Sequence, residues 1–340
     1  MLNPNAKLNT KVFDTDCEVS PIRKGFGEGL LQAGKLNDQV VGLCADLTES
    51  TQMHLFANEF KNRFIEVGVA EQNLATVASG MSAMGKIPFI SSYAMFSPGR
   101  NWEQIRTTIA YNDRKVIIAG SHAGISVGPD GGTHQAIEDI ALMRVMPNMC
   151  VISPCDAIEA FKATIATLNW PTPVYIRLAR EKTPIITTAN TPFAIGKAQI
   201  LWESSTNPSL GSKASKLEAC IVVCGALVHR ALLAAKELEG KGVGSIVVNL
   251  ATIKPFDAET IISCAKKTGA VVTVEEHQIA GGMGSAVAEC LAQNCPVPIE
   301  FIGVQNKFGQ SGTMDELIAH YKMDVPDIIE AVQKVISRKG

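Results

Sequence analysis

His122, Asp130 and His134 fall within 13 positions of one another on a stretch built mostly of glycine and small residues: Gly120-Ser121-His122-Ala123-Gly124-Ile125-Ser126-Val127-Gly128-Pro129-Asp130-Gly131-Gly132-Thr133-His134-Gln135. A lone imidazole in such a loop is usually a hydrogen-bonded structural residue. Two imidazoles and a carboxylate together suit a polar site that recognises a hydroxylated substrate and moves protons. A metal centre is the rival reading, but no third close ligand defines a coordination geometry. Asp46, Thr48, Glu49 and Ser50 form a second polar group directly after an apolar run, and Glu71 opens an apolar helical stretch. On residue type alone, Glu71 is either an anion favoured by the positive end of a helix or a buried acid whose pKa desolvation raises.

Hydrophobic periodicity supplies the elements that must position these groups. Residues 40–45, 87–91, 115–119, 150–152 and 174–178 are short apolar runs rich in β-branched types, the pattern of buried strands. Between them, residues 71–84 place Leu74, Val77, Ala78 and Met81 on one helical face, and Asp156 after Pro154 is a candidate N-cap. This β-α alternation predicts a parallel sheet covered on both faces, with ligands beyond the carboxyl ends of its strands. The three polar groups stand at those ends. The pattern breaks between residues 183 and 216, at Pro184, Pro192, Pro208 and a Ser/Gly/Asn-rich run over 204–215. It resumes with strands at 220–224, 245–250 and 271–275 and helices at 226–240, 257–268 and 284–292. The expected fold is therefore α/β in two domains: residues 1–190 around a parallel sheet, a linker over 191–216, and a smaller α/β domain over 217–340.

Composition narrows the function classes. A chain of 340 residues, 46% hydrophobic and 19% charged, is long and apolar enough for two cores and excludes a disordered protein. Thirty-one basic against 33 acidic residues give a formal charge of −2, which offers no field for nucleic acid or an anionic membrane. No run of 18 apolar residues occurs and the start, Met1-Leu2-Asn3-Pro4-Asn5-Ala6-Lys7, is polar, so neither a membrane span nor a signal peptide is expected and a cytoplasmic protein is. Nine cysteines without a Cys-x-x-Cys read as reduced, buried thiols. Gly281-Gly282-Met283-Gly284 lacks the full spacing of a dinucleotide-binding turn and reads as a tight strand-to-helix connection. Gly25, Gly27 and Gly29 read as permitting close helix packing.

Three segments resemble one family as a set. Val67-Gly68-Val69-Ala70-Glu71-Gln72-Asn73, Ser92-Tyr93-Ala94-Met95-Phe96 and Gly128-Pro129-Asp130-Gly131-Gly132-Thr133-His134-Gln135 are similar to the pyrimidine-binding domain of thiamine-diphosphate enzymes of the transketolase group. Val271-Val272-Thr273-Val274-Glu275-Glu276-His277, with the glycine turn behind it, resembles their C-terminal domain. The family holds the cofactor's diphosphate and its divalent metal, Mg²⁺ or Ca²⁺, in a further domain marked by Gly-Asp-Gly, which does not occur here. The resemblance thus implies the C-terminal subunit of a split transketolase, inactive without a separately encoded diphosphate-binding subunit, and two copies of each chain in an α2β2 assembly.

The same resemblance implies roles residue by residue. Glu71 matches the acid that hydrogen-bonds the aminopyrimidine and shifts it towards its imino tautomer. Phe96, three residues after Tyr93, matches the aromatic stacked on that ring, and Asp46 fits a cofactor-side role near the subunit boundary. Arg23, Ser50, His122 and Arg180 match positions that hold a sugar phosphate, for which forked guanidinium donors are suited. Asp130 and His134 match residues facing substrate hydroxyls and the reacting carbon. His122 and His134 are thereby positioning and proton-transfer candidates, no metal ligand is assigned to this chain, and His277 is taken as structural. The implied reaction moves a two-carbon ketol unit from a ketose phosphate to an aldose. Deoxyxylulose-phosphate synthase shares Ala70-Glu71-Gln72 and the Tyr93–Phe96 spacing, but His122 favours the transketolase type. Two more functions compete with it: a 2-oxoacid dehydrogenase β subunit, which would not require the phosphate-binding set, and a non-catalytic assembly partner. The chain departs from the family pattern at Ala123, Pro129 and Gly132, and at Gly99, where a further aromatic is expected.

Overall fold

The computed structural model describes residues 1–207 and 213–339. Its larger sheet has seven strands in the spatial order Thr252–Lys254, Cys150–Ile152, Val174–Arg177, Ile117–Ser121, Ile87–Tyr93, Val40–Cys44 and Phe64–Glu66. All neighbours run parallel except the first pair. The central strands are buried along nearly their whole length, as continuous Val/Ile runs must be when helices cover both faces. Helix Glu71–Ala83 turns Leu74, Ala75 and Ala78 inward, and helix Ala157–Ala166 begins at Asp156, whose side chain accepts from Glu159 N–H as an N-cap.

A second sheet of five strands runs Ile299–Val304, Val271–Gln278, Leu217–Val223, Gly244–Asn249 and Gln199–Glu203, parallel except at its last pair. Helices Val228–Gly240, Ala258–Thr268 and Met283–Asn294 are those expected from sequence, while Met314–His320 and Val325–Ser337 extend the domain towards the C terminus.

The expected division of the chain meets three structural facts. Gln199–Glu203, within the stretch read as a linker, is an edge strand of the second sheet, because Leu201 and Trp202 bury against that domain. Of the rest of that stretch, residues 208–212 lie outside the described residues. The first residues of the chain leave the first domain: Leu2 bridges Trp202, and Ala6 and Val12 join a cluster with Ile221, Val223 and Leu232. In return, Thr252–Lys254 leaves the second domain to pair antiparallel with Cys150–Ile152 at the edge of the first sheet. The two units are therefore sewn together, and buried side chains run without a break from Ile90, Ile118 and Val151 to Val222, Val248 and Leu250.

Close packing also places the first helix. Ile22–Leu36 lies against Ala157–Ala166 so tightly that a Cβ on Gly25 would stand 1.8 Å from Ala157 O, and one on Gly29 2.8 Å from Thr164 Cβ. Glycine at these i, i+4 positions lets the helices touch, and Arg23 in the first turn is fixed as a result.

Candidate functional site

The carboxyl ends of the central strands converge on one cluster. Tyr93 closes Ile87–Tyr93 and His122 follows Ile117–Ser121; their rings stack with centroids 3.8 Å apart and planes 24° from parallel. His122 adopts φ +55°, a left-handed conformation uncommon for a residue with a side chain, and is buried at 2% exposure. Its Nε2 lies 3.1 Å from Arg23 Nη1 and its Nδ1 2.9 Å from Ser121 Oγ. A guanidinium only donates, so Nε2 accepts and the ring proton sits on Nδ1, directed at Ser121. Burial, helped by the nearby charges of Arg23, Arg180 and His134, pushes the His122 pKa down to about 3. The imidazole is neutral.

That neutrality has a sign. The unfolded chain binds a proton at His122 near pH 6.5 and the folded chain only near pH 3, so this contribution to stability is complete above pH 6.5 and is lost as pH falls from there towards 3. His122→Asn, a residue tolerant of left-handed backbone, is expected to remove up to about 1.4 kcal/mol per pH unit from the acid-side slope. Urea unfolding of both chains at pH 7 and pH 5 measures the difference. Equal slopes would contradict the buried neutral ring.

Arg23 Nη1 also donates to Ser50 O at 2.7 Å, while its buried Nε has no partner among the described residues. Burial and the facing Arg180 both lower its pKa. Arg180 reaches Val127 O at 2.7 Å and Glu181 at 3.2 Å and keeps 28% of its side chain exposed. Two cations with unused donors, beside a neutral histidine, make a site for an anion. Phe96 and His134 complete the ring cluster: Phe96 meets His134 edge-on at 5.4 Å, and His134 meets Tyr93 edge-on at 6.1 Å. Asp130 ends the 3₁₀ segment Ile125–Asp130 on the same loop and is exposed.

Glu71 is buried at 5% exposure as the first residue of its helix, so it is at once a helix-start carboxyl and a buried one. Among the described residues its carboxyl has a single hydrogen-bond partner, Ser92 Oγ at 3.4 Å, next to Tyr93 in the same strand. Asn101 Nδ2 donates to Glu71 O at 2.9 Å and to Ser97 Oγ at 3.2 Å, and its Oδ1 is buried without a partner. A carboxyl so weakly engaged keeps acceptor capacity for a donor from outside the chain. Asp46 is different. Although it too has a left-handed backbone, at φ +57°, it is exposed, and its N–H donates to Glu66 Oε1 at 2.7 Å; among the described residues no hydrogen bond links it to the ring cluster. Glu66, which also accepts from Thr48 and Gly68, organises that loop and carries no signal in the sequence beyond ending a short strand.

Residues 20–185 match the family described as transketolase, pyrimidine binding domain, and residues 213–328 match transketolase, C-terminal domain. The chain belongs to the transketolase family. It is 39% identical over 328 residues to the 6-deoxy-6-sulfo-D-fructose transketolase subunit SqwH of Clostridium sp. (strain MSTE9), covering 96% of this chain and 98% of that one. It is 41% identical over 321 residues to a putative transketolase C-terminal section of Methanocaldococcus jannaschii, covering 94% and 97%. A split gene transketolase solved as an inactive beta4 tetramer superposes with a TM-score of 0.85 at 41% identity, covering 94% and 99%. Membership of this family implies dependence on thiamine diphosphate, and the underused Glu71 carboxyl, bonded only to the residue before Tyr93, has the free acceptor capacity that a pyrimidine end would need.

Three of the four positions expected to depart from the family pattern are tightly surrounded. A Cβ on Gly99 would lie 1.9 Å from Met95 O, so the turn after Phe96 leaves no place for the expected aromatic. A Cβ on Gly132 would lie 2.7 Å from Gly309 O of the second domain, and Ala123 packs with Ala94 and Ala136. Pro129 is exposed, and nothing in the structure explains it. In the transketolase C-terminal domain the glycine turn is filled by the chain's own anion: the Glu275 carboxylate accepts from Met283 N–H at 2.6 Å and Gly284 N–H at 2.8 Å. Gly282 is needed because a Cβ there would stand 2.2 Å from Glu275 Oε2. His277 is fully buried and accepts at Nε2 from Ala141 N–H across the domain boundary. All nine cysteines are free, but Cys17, Cys290 and Cys295 are half-buried rather than buried, since they lie near helix or chain surfaces. Among the described residues no group of three or more His, Cys, Asp or Glu could hold a metal, and no helix is long and apolar enough to cross a membrane.

Proposed function

We propose that this chain is the C-terminal subunit of a split transketolase and moves a two-carbon ketol unit from an anionic ketose, a sugar phosphate in the first instance, to an aldose. The observation that carries the reading is the buried Glu71 carboxyl with one long hydrogen bond, beside the strand end that bears Tyr93. Glu71 holds a proton at the ring nitrogen of the cofactor's pyrimidine, Phe96 and Tyr93 pack against that ring, and Asp46 lies towards the subunit boundary. Thiamine diphosphate, when bound, supplies the electron sink that lets the carbon–carbon bond of the donor break. Its diphosphate and the Mg²⁺ or Ca²⁺ belong to the partner subunit.

Arg23 and Arg180, with Ser50, bind the anionic end of the sugar. A neutral His122 whose Nε2 accepts from Arg23 orients that guanidinium, so proton transfer at the substrate rests with His134, and Asp130 accepts from a substrate hydroxyl. The relative named for a sulfonated fructose supports an anionic sugar. Exposed apolar side chains support a partner: Val69, two residues before Glu71, is 79% exposed, Met84 83% and Tyr111 84%. The expected assembly is two copies of this chain with two diphosphate-binding subunits. Alone, like its solved relative, the chain is expected to associate with itself and to be inactive.

The test mixes this chain with the diphosphate-binding subunit, thiamine diphosphate, Mg²⁺, a ketose phosphate and an aldose, and follows the chain-length-shifted sugar products. Ketol transfer by the mixture and none by either chain alone is expected. No transfer from any phosphorylated or sulfonated ketose would overturn the reading.

A further inference from the structure

Among the described residues the C-terminal domain gives no side chain to the site just described, yet it grips the loop that carries Asp130 and His134. At the start of that loop, Ser126 N–H donates to the Glu276 carboxylate, and Gly124 approaches so closely that a Cβ would lie 2.6 Å from Glu276 Cδ. At its end, Gln135 Nε2 donates twice, to Ile125 O at 3.0 Å, closing the loop on itself, and to Gln310 O at 3.0 Å, tying it to the other domain. Between these points the loop lies closely on residues 309–312: a Cβ on Gly128 would stand 3.2 Å from Gly312 O, one on Gly132 2.7 Å from Gly309 O, and one on Gly131 2.7 Å from Ser311 Oγ. The first domain holds the loop elsewhere: Arg180 on Val127 O, Leu178 O on Ala123 N–H, and the Tyr93 and Phe96 rings on His134.

We propose that the C-terminal domain positions the reacting end of the site: Glu276 and the backbone of residues 309–312 hold the glycine-rich loop, and Gln135 is the positioning residue that transmits the hold to His134. The physical reason is the composition of the loop itself. A run with this many glycines has a large conformational entropy and does not stay in one shape unless its backbone groups are engaged from outside. Here the first domain engages Ala123 N–H, Gly124 N–H and Val127 O, and the second adds the hold on Ser126 N–H and, through Gln135 and Gln310 O, the tie at the loop's far end, which makes the second domain a part of substrate recognition. The identity of the substrate rests on the transketolase reading; the hold itself does not.

Two substitutions test it from opposite sides. Gln135→Met keeps side-chain length and loses both donors. Gly309→Ala, wholly within the C-terminal domain, places a Cβ 1.7 Å from Gln135 Oε1 and must displace it. In the full chain, hydrogen exchange of amides 125–135 is expected to quicken roughly tenfold or more in both variants, as loss of about two ordinary hydrogen bonds implies. Exchange in the strand Leu217–Val223 should stay as in the unaltered chain, which shows the domain still folded. In the reconstituted complex both variants are expected to lower kcat about tenfold to a hundredfold, with thiamine diphosphate affinity unchanged. Adding His134→Ala to Gln135→Met should cost much less than His134→Ala alone, because the two act as one unit. Unaltered loop exchange in both variants, or effects of Gln135 and His134 that multiply, would overturn the proposal. Should the unaltered complex show no ketol transfer, the functional reading fails while the exchange measurement still decides the hold.

Discussion

Glu71→Gln is expected to lower turnover of the reconstituted complex about 10²–10⁴-fold while leaving the fold in place. The substitution is nearly isosteric. The carboxyl it replaces has only the 3.4 Å contact from Ser92, so little native bonding is lost. The main-chain anchor from Asn101 Nδ2 to Glu71 O is untouched. What disappears is a group able to hold and release a proton at a buried position, which an amide cannot do. Turnover, thermal unfolding and cofactor binding measured on the same preparation separate these effects. Near-normal turnover would remove Glu71 from the chemistry, whatever the fold.

Much of this site is legible because parallel sheets place ligands at strand ends, and apolar runs of five or six residues mark those ends in sequence. Residues 115–119 point directly at the loop of His122, even though that strand is in fact Ile117–Ser121, two residues later, whereas 40–45 lead to Asp46, which is exposed and apart from the ring cluster. What was not legible depends on partners far away in the chain. Arg23 looks like a surface charge on an amphipathic helix until Gly25 and Gly29 seat that helix on Ala157–Ala166. Thr252–Lys254 has three residues, too few for any period, and owes its strand character to Cys150–Ile152 in the other domain. Glu276 and Gln135 carry no local pattern at all; their meaning lies in contacts separated by 150 and 175 positions.

The largest stability effect is expected from Arg177, a residue with no motif around it. It is 5% exposed and bridges the domains: its Nε donates to Asp139 Oδ2 at 2.8 Å, and its Nη2 to Ala136 O at 3.2 Å and to Glu276 O at 2.8 Å. Tyr175 OH adds a 2.7 Å hydrogen bond to the same Asp139 oxygen. Burial works against the guanidinium's charge, but Asp139 and Glu276 outweigh it and hold the pKa above its ordinary value. Arg177→Met would leave the Asp139 carboxyl at 2% exposure with Tyr175 alone and take the donor from Glu276 O, while Ala136 O keeps Gly124 N–H. Breaking a buried pair from one side costs about 3–5 kcal/mol, a large share of the stability of any domain. The uncompensated anion is the cause, so Arg177→Met combined with Asp139→Asn should recover a part of that loss in denaturant unfolding. A single-variant loss below about 1 kcal/mol would mean that water reaches Asp139 and that the network is not the buried joint between the domains. Because Ala136 follows Gln135 directly, the same variant should also quicken exchange in the loop that ends there.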